Sequence, residues 1–171
     1  MPGSLSHLAN RFVDVLLAVP LTPSETEAVR YWLGEDLFEC FSHQSTADQR
    51  HSYHSALSII AQGPTHSDVV LAALLHDVGK GDSRLGVIAR SVVTAMIALR
   101  VPLKGRAASY RDHGPIGAAL LDSLEAPELA IQYAEFHQGD RPASIPAETW
   151  ALLQASDHPP KVRAIVSARI R

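Results

Sequence analysis

Apolar residues along this chain recur at three- and four-residue spacings, and glycines and prolines fall mostly between the periodic segments. This is the pattern of successive amphipathic helices. No alternating apolar–polar run of useful length, internal repeat or low-complexity segment appears, so the predicted class is all-α. A first helix is predicted over about Ser6 to Val19, stopped by Pro20. Thr22-Pro23-Ser24-Glu25 has the form of a helix start: a capping hydroxyl, proline at the first helical position and glutamate at the third. That helix runs to Leu33 and ends at Gly34, and a short one follows over Glu35 to Phe41. Ser45 is placed to cap the next, which ends near Gln62 before Gly63-Pro64. Ser67 to Val78 is apolar enough to be a buried helix, and Arg84 to Leu99 is amphipathic. A basic loop, Pro102 to Arg106, precedes helices over about Asp112 to Ser123, Pro127 to His137 and Pro146 to Ser156, with a tail helix over Pro160 to Ile170.

At 171 residues the chain is long enough for one sizeable core. The expected organisation is a helical extension, residues 1–44, packed on a single globular unit, residues 45–171. A hydrophobic fraction of 46% with 19% charged residues describes a soluble globular protein. The formal net charge of −3 gives no general attraction to nucleic acid or to an anionic membrane. An anionic substrate would therefore be held locally, by a metal or a few placed cations. The single cysteine, Cys40, excludes an internal disulfide and fits a reducing compartment. No basic-then-apolar leader and no membrane-length apolar run is present, so a cytoplasmic location is expected.

Candidate chemistry is concentrated in Leu74-Leu75-His76-Asp77-Val78-Gly79-Lys80. The apolar stretch before His76 is ordinary core, but a buried imidazole and carboxylate need partners. A divalent metal suits both, and the pair favours Zn, Fe, Mn or Co over thiolate-seeking ions. Adjacent residues on a regular helix point about 100° apart. Two neighbouring ligands therefore imply a helix end, which Gly79 is placed to provide. His51, His113, His137 and Asp157 are candidates for the remaining ligands, and several different predicted helices carry them.

The ordered set His51 … His76-Asp77 … His113 … His137 … Asp157 resembles the HD superfamily of metal-dependent phosphohydrolases. The resemblance runs from about Gln49 to Asp157. Its most specific part is Ala72-Ala73-Leu74-Leu75-His76-Asp77-Val78-Gly79-Lys80, which looks very like the family's central motif. Asp48-Gln49-Arg50-His51 and Tyr110-Arg111-Asp112-His113 look like pieces of a subgroup of small stand-alone bacterial members. The resemblance implies a single-domain helical bundle with a metal site at its centre. One-metal members use the first histidine, the His-Asp pair and the last aspartate, here His51, His76, Asp77 and Asp157. Two-metal members add intervening histidines, here His113 and His137, and the pair's aspartate bridges the ions. The expectation is one or two divalent ions drawn from Fe, Mn, Co, Ni and Zn, with two favoured. His54 shares a helix face with His51 and competes for the role of first ligand. The chain departs from some two-metal families at Gln138, where they carry a further histidine.

The chemistry such a site implies is hydrolysis by metal-activated water. Asp77 and Lys80 are the expected catalytic residues. His54, Lys80, Arg111 and Arg141 are candidate substrate contacts, with Arg50, Lys104 and Arg106 as weaker cations and Asp82 as a loop carboxylate near the pair. His7, His43, His66 and His158 read as surface or capping residues. The expected substrate is a small phosphorylated metabolite or nucleotide rather than a nucleic-acid polymer. No membrane partner is expected, and a homodimer is left open. Two alternatives remain: a di-iron oxygenase with the same ligand order, and a non-catalytic signalling module of HD type.

Overall fold

The computed structural model describes residues 18–63, 66–83 and 85–157. The predicted first helix up to residue 17, the tail helix, His7 and His158 lie outside the described residues, as does Pro64 of the expected terminator. The described chain is helical and contains no strand. Helix α1 spans Pro23–Ser42. Its start is the expected capping box: Thr22 Oγ1 accepts from the Glu25 N–H at 3.3 Å, and Glu25 Oε2 accepts from the Thr22 N–H at 2.7 Å. The two helices predicted on either side of Gly34 form one element with a kink. Gly34 makes the kink with φ 71°, a left-handed value that only glycine adopts without strain. Val29, Leu33, Leu37 and Phe41, each four residues from the next, turn one face of α1 inward.

Helix α2, Thr46–Ile60, starts at Ser45, whose hydroxyl accepts from the Asp48 N–H. Helix α3, Ser67–Leu75, is the centre of the molecule. Every residue from Val69 to Leu75 is buried, because α1, α2, α8 (Glu128–Phe136) and α9 (Ala147–Asp157) all pack around it. A nine-residue helix with no polar face satisfies its side chains only when enclosed in this way. The core it organises includes Phe41, Tyr53, Ile59, Leu121, Tyr133, Ile145 and Leu153.

The predicted run to Val78 stops at Leu75. Residues 76–79 form a tight turn, closed by Val78 N–H to Leu75 C=O at 3.2 Å and Lys80 N–H to Asp77 C=O at 3.0 Å. The single-turn helix α4, Lys80–Ser83, follows. Helix α5, Val87–Ala98, packs on α6, Arg106–Arg111, a short helix that begins where the predicted basic loop ends. Helix α7, His113–Ser123, lies against α8 and approaches the 76–79 turn. None of the described helices is long and apolar enough to cross a membrane.

Gly79 does not have the role the sequence suggested. The helix has already ended four residues earlier, and Gly79 is not among the residues with positive φ. What it provides is clearance: a Cβ there would lie 2.0 Å from the His113 carbonyl oxygen and 2.6 Å from the Gly117 nitrogen. Both are backbone atoms that have no rotamer to escape into. Gly79→Ala is therefore expected to force α7 away from the turn at a cost of about 3 kcal/mol. Gly86→Ala, which meets nothing within 4 Å, should change stability by less than about 1 kcal/mol. Urea unfolding midpoints of the two variants check the contrast.

Candidate metal centre

Five elements deliver polar side chains to one place beside α3. His51 comes from the middle of α2, and His76 and Asp77 from the turn after α3. His113 comes from the first residue of α7, His137 from the residue after α8, and Asp157 from the last residue of α9. At these helix ends each histidine ring turns back on a carbonyl three residues earlier, in its own helix for His76 and His137 and in α6 for His113. His76 Nδ1 donates to the Ala73 carbonyl at 3.0 Å, His137 Nδ1 to Ala134 at 2.8 Å and His113 Nδ1 to Tyr110 at 2.7 Å. A carbonyl only accepts, so each Nδ1 carries the hydrogen and each ring turns its Nε2 toward the cluster.

The Nε2 atoms of His113 and His137 converge on Asp77. His113 Nε2 and His137 Nε2 are 3.3 Å apart, and they stand 3.3 and 3.5 Å from Asp77 Oδ1. Asp77 Oδ1 is fully buried and has no hydrogen-bond partner among the described residues. Three acceptors facing one point in the core is an unfavourable arrangement unless something positive sits among them. On the other side of the carboxylate, Asp77 Oδ2 pairs with Lys80 Nζ and lies 3.4 Å from His76 Nε2. Asp157 Oδ1 is 2.8 Å from His51 Nε2 and 3.2 Å from His76 Nε2. Two trios can each hold an ion, His51–His76–Asp77 and Asp77–His113–His137, with ligand atoms in each lying within 4.8 Å of one another. Asp77 belongs to both.

The charges explain how the cluster is tolerated. Burial works against the Asp77 carboxylate, but Lys80 and then His76, with smaller contributions from the His113 and His137 rings beside it, hold it well below the usual carboxylate range. Burial also opposes a charge on His76, yet Asp77 and then Asp157 outweigh it and push its pKa up to about 9. Asp157 is likewise held low against burial by His51 and His76, whereas burial lowers His137. The centre thus favours a positive charge at the His76 ring.

The remaining predicted residues fall as follows. Lys80 is inside, its side chain 11% exposed. Although burial disfavours its charge, Asp77 and then Asp48 stabilise the ammonium and raise its pKa. It is an internal counter-ion to Asp77 rather than a free surface cation. His54 belongs to neither trio; its ring is tilted against Tyr53, and burial lowers its pKa. The structure does not bring Arg111 or Arg141 to the cluster. Arg111 is taken up by Asp112 through bonds of 2.7 and 2.8 Å, and Arg141 donates to the Ile145 and Pro142 carbonyls ahead of α9. Arg50 fastens the chain before α1, donating to the Val19 and Pro20 carbonyls and to Glu25. Arg106 donates to the Ser83 carbonyl, and Lys104 is exposed. His43 is exposed with its Nδ1 on the Glu39 carbonyl, and His66 is the N-cap residue of α3 without a side-chain cap bond.

Sequence reasoning missed four contributors. Arg90 of α5 pairs with Asp48, also bonds Ser45 Oγ, and lies over the Tyr110 ring at 5.7 Å. Tyr133 packs 5.9 Å from both the His76 and His137 rings, with its hydroxyl buried. Burial first, then Asp157 and Asp77, push its pKa up, so the phenol stays a neutral donor. Gln154 donates to the His137 carbonyl at 2.7 Å, and the carboxamide of Gln138 reaches His113 Nε2 at 3.2 Å. Only Gln138, next to His137, carried a local signal; Arg90 and Tyr133 look in sequence like ordinary helix residues.

Comparison of the chain with protein-family models, with curated proteins and with solved structures finds no match.

Two outcomes follow from the charge arrangement. Asp77→Ala leaves the Lys80 ammonium buried and unpaired, which should destabilise the fold by about 3–5 kcal/mol. Adding Lys80→Met should recover most of that loss, as read by denaturant unfolding. Metal must also compete with a proton at His76, whose pKa Asp77 and Asp157 push up to about 9. Apparent Zn²⁺ affinity should therefore rise about tenfold per pH unit from neutrality toward that value. Competition titration against a chromophoric chelator measures it, and an affinity flat in pH would remove His76 from the ligand set.

Proposed function

We propose that this protein is a metal-dependent phosphohydrolase of the HD superfamily that acts on a small phosphorylated metabolite or nucleotide. The observation that carries the reading is the Asp77 carboxylate: buried, with Oδ1 unpartnered, and common to two trios of converging ligand atoms. The donor set fits the group. Neutral imidazole and carboxylate suit Fe, Mn, Co, Ni or Zn, and no thiolate is near, since Cys40 belongs to the core. In this reading His51, His76 and Asp157 hold one ion, His113 and His137 hold a second, and Asp77 serves both. Bound there, divalent ions supply Lewis acidity, which activates water and neutralises charge on a phosphoryl oxygen.

The chain's own groups do the rest. The carbonyls of Ala73, Tyr110 and Ala134 fix which nitrogen of each ring faces the centre. Lys80 holds Asp77 Oδ2 and keeps the carboxylate ionised in the core. The Tyr133 hydroxyl is a neutral donor packed beside the same rings, suited to hydrogen-bonding an anionic oxygen rather than to removing a proton. Phosphoryl transfer asks mainly for positioning and charge neutralisation, which this enclosed set of fixed dipoles and charges is built to give.

Metal content of the purified protein, beside His113→Ala, tests the reading. About two transition-metal ions per chain are expected, falling toward one in the variant. The loaded protein should hydrolyse simple phosphomonoesters or phosphodiesters in Mn²⁺, Fe²⁺ or Co²⁺, without oxygen, and lose activity to a chelator. No metal uptake by either protein would overturn the reading, and turnover only in oxygen would replace it with the di-iron alternative.

A further inference from the structure

We propose that the carboxamide of Gln138 is a fourth donor of the ion site formed by Asp77, His113 and His137, with its Oε1 on the ion. The inference rests on reading that trio as an ion site. A trio gives three donors, and a transition ion asks for at least four. Gln138 follows His137 at the end of α8, and its side chain turns back so that the amide terminus lies 3.2 Å from His113 Nε2. Donors about 2.0–2.1 Å from a tetrahedral ion lie about 3.3 Å from one another. The trio shows that spacing, with 3.3, 3.3 and 3.5 Å between His113 and His137, His113 and Asp77, and His137 and Asp77. The Gln138 terminus has the same separation from His113 that the trio's members have among themselves.

The amide nitrogen faces His113 because that ring nitrogen offers a lone pair, and only the N–H₂ end can donate to it. An ion among the lone pairs reverses the preference, and a half-turn of the last torsion brings the carbonyl oxygen inward. The root of the side chain is fixed, since Gln154 holds the His137 carbonyl at 2.7 Å and Gly139 N–H bonds the Phe136 carbonyl at 2.7 Å. Gln138 is also solvent-exposed while His113 and His137 are buried, so its donor lies on the open side of the trio. A neutral carbonyl oxygen is a weaker and harder donor than a third imidazole. It tilts the site toward Mn²⁺ or Fe²⁺ over Zn²⁺ and gives way readily to an anionic oxygen entering from solvent.

The test is titration of the metal-free full chain with Mn²⁺ and Zn²⁺, with ion counts by elemental analysis, for wild type, Gln138→Ala, Gln138→His and His113→Ala. The expected result is an unchanged first ion in Gln138→Ala and a second ion weakened about tenfold or more. Gln138→His should restore the second ion and raise Zn²⁺ preference over Mn²⁺. If Gln138→Ala binds the second ion as tightly as wild type, or more tightly, the amide is only a hydrogen-bond partner that competes with the ion, and the proposal fails. If His113→Ala loses an ion while Gln138→Ala does not, this inference fails alone. If wild type and His113→Ala bind alike, the trio is not an ion site, and the reading beneath the inference fails with it.

Discussion

A carboxylate sealed inside a helical core has to be matched by positive charge, and that requirement at Asp77 organises this molecule. Its side chain is 2% exposed, and water cannot screen it. One oxygen is answered by Lys80, three residues further on, and by His76 beside it. The other faces two imidazole nitrogens whose hydrogens are committed elsewhere. Such a set is poorly satisfied by protein alone. It is the arrangement expected where a cation is to be held, and it makes Asp77 the joint between two potential ion sites.

That centre depends on α3 being apolar all round. Because α1, α2, α8 and α9 pack on it, the end of α3 is carried to the deepest point of the fold, and the turn at residues 76–79 opens where those helices converge. The clearance at Gly79 and Gly117 lets α7 come close enough for His113 to reach Asp77. Core packing and site geometry are therefore one problem here. The helix ends that leave His76 and His137 free to fold back on their own carbonyls are the same ends that close the core.

A second layer of charge sits behind the first. Asp48 pairs with Arg90 and also stabilises Lys80, while the Tyr110 ring lies under Arg90. Two short segments that looked separately notable in sequence, around Asp48 and around Tyr110, are thus joined through α5 and α6. The second layer anchors the counter-ion of the first.

Much of this was legible in the chain itself. The capping box at Thr22, the cap at Ser45, the break at Gly34 and the enclosed helix before His76 follow from local chemistry, in which each residue type has one inexpensive place to sit. The residues that converge were also legible as candidates, His76 and Asp77 as a polar pair ending an apolar run, and His51, His113, His137 and Asp157 through the order in which the sequence resembles the HD superfamily. Tertiary structure alone decided which of them share a space, that His51 rather than His54 faces the cluster, and that Lys80 turns inward. It also decided that Arg111 and Arg141 are spent on local partners, and that Gly79 is required for close approach rather than for a helix end. Those outcomes depend on the angles at which distant helices cross and on which charges burial leaves uncompensated. These are pairwise quantities between residues far apart in the chain, and no local pattern encodes them.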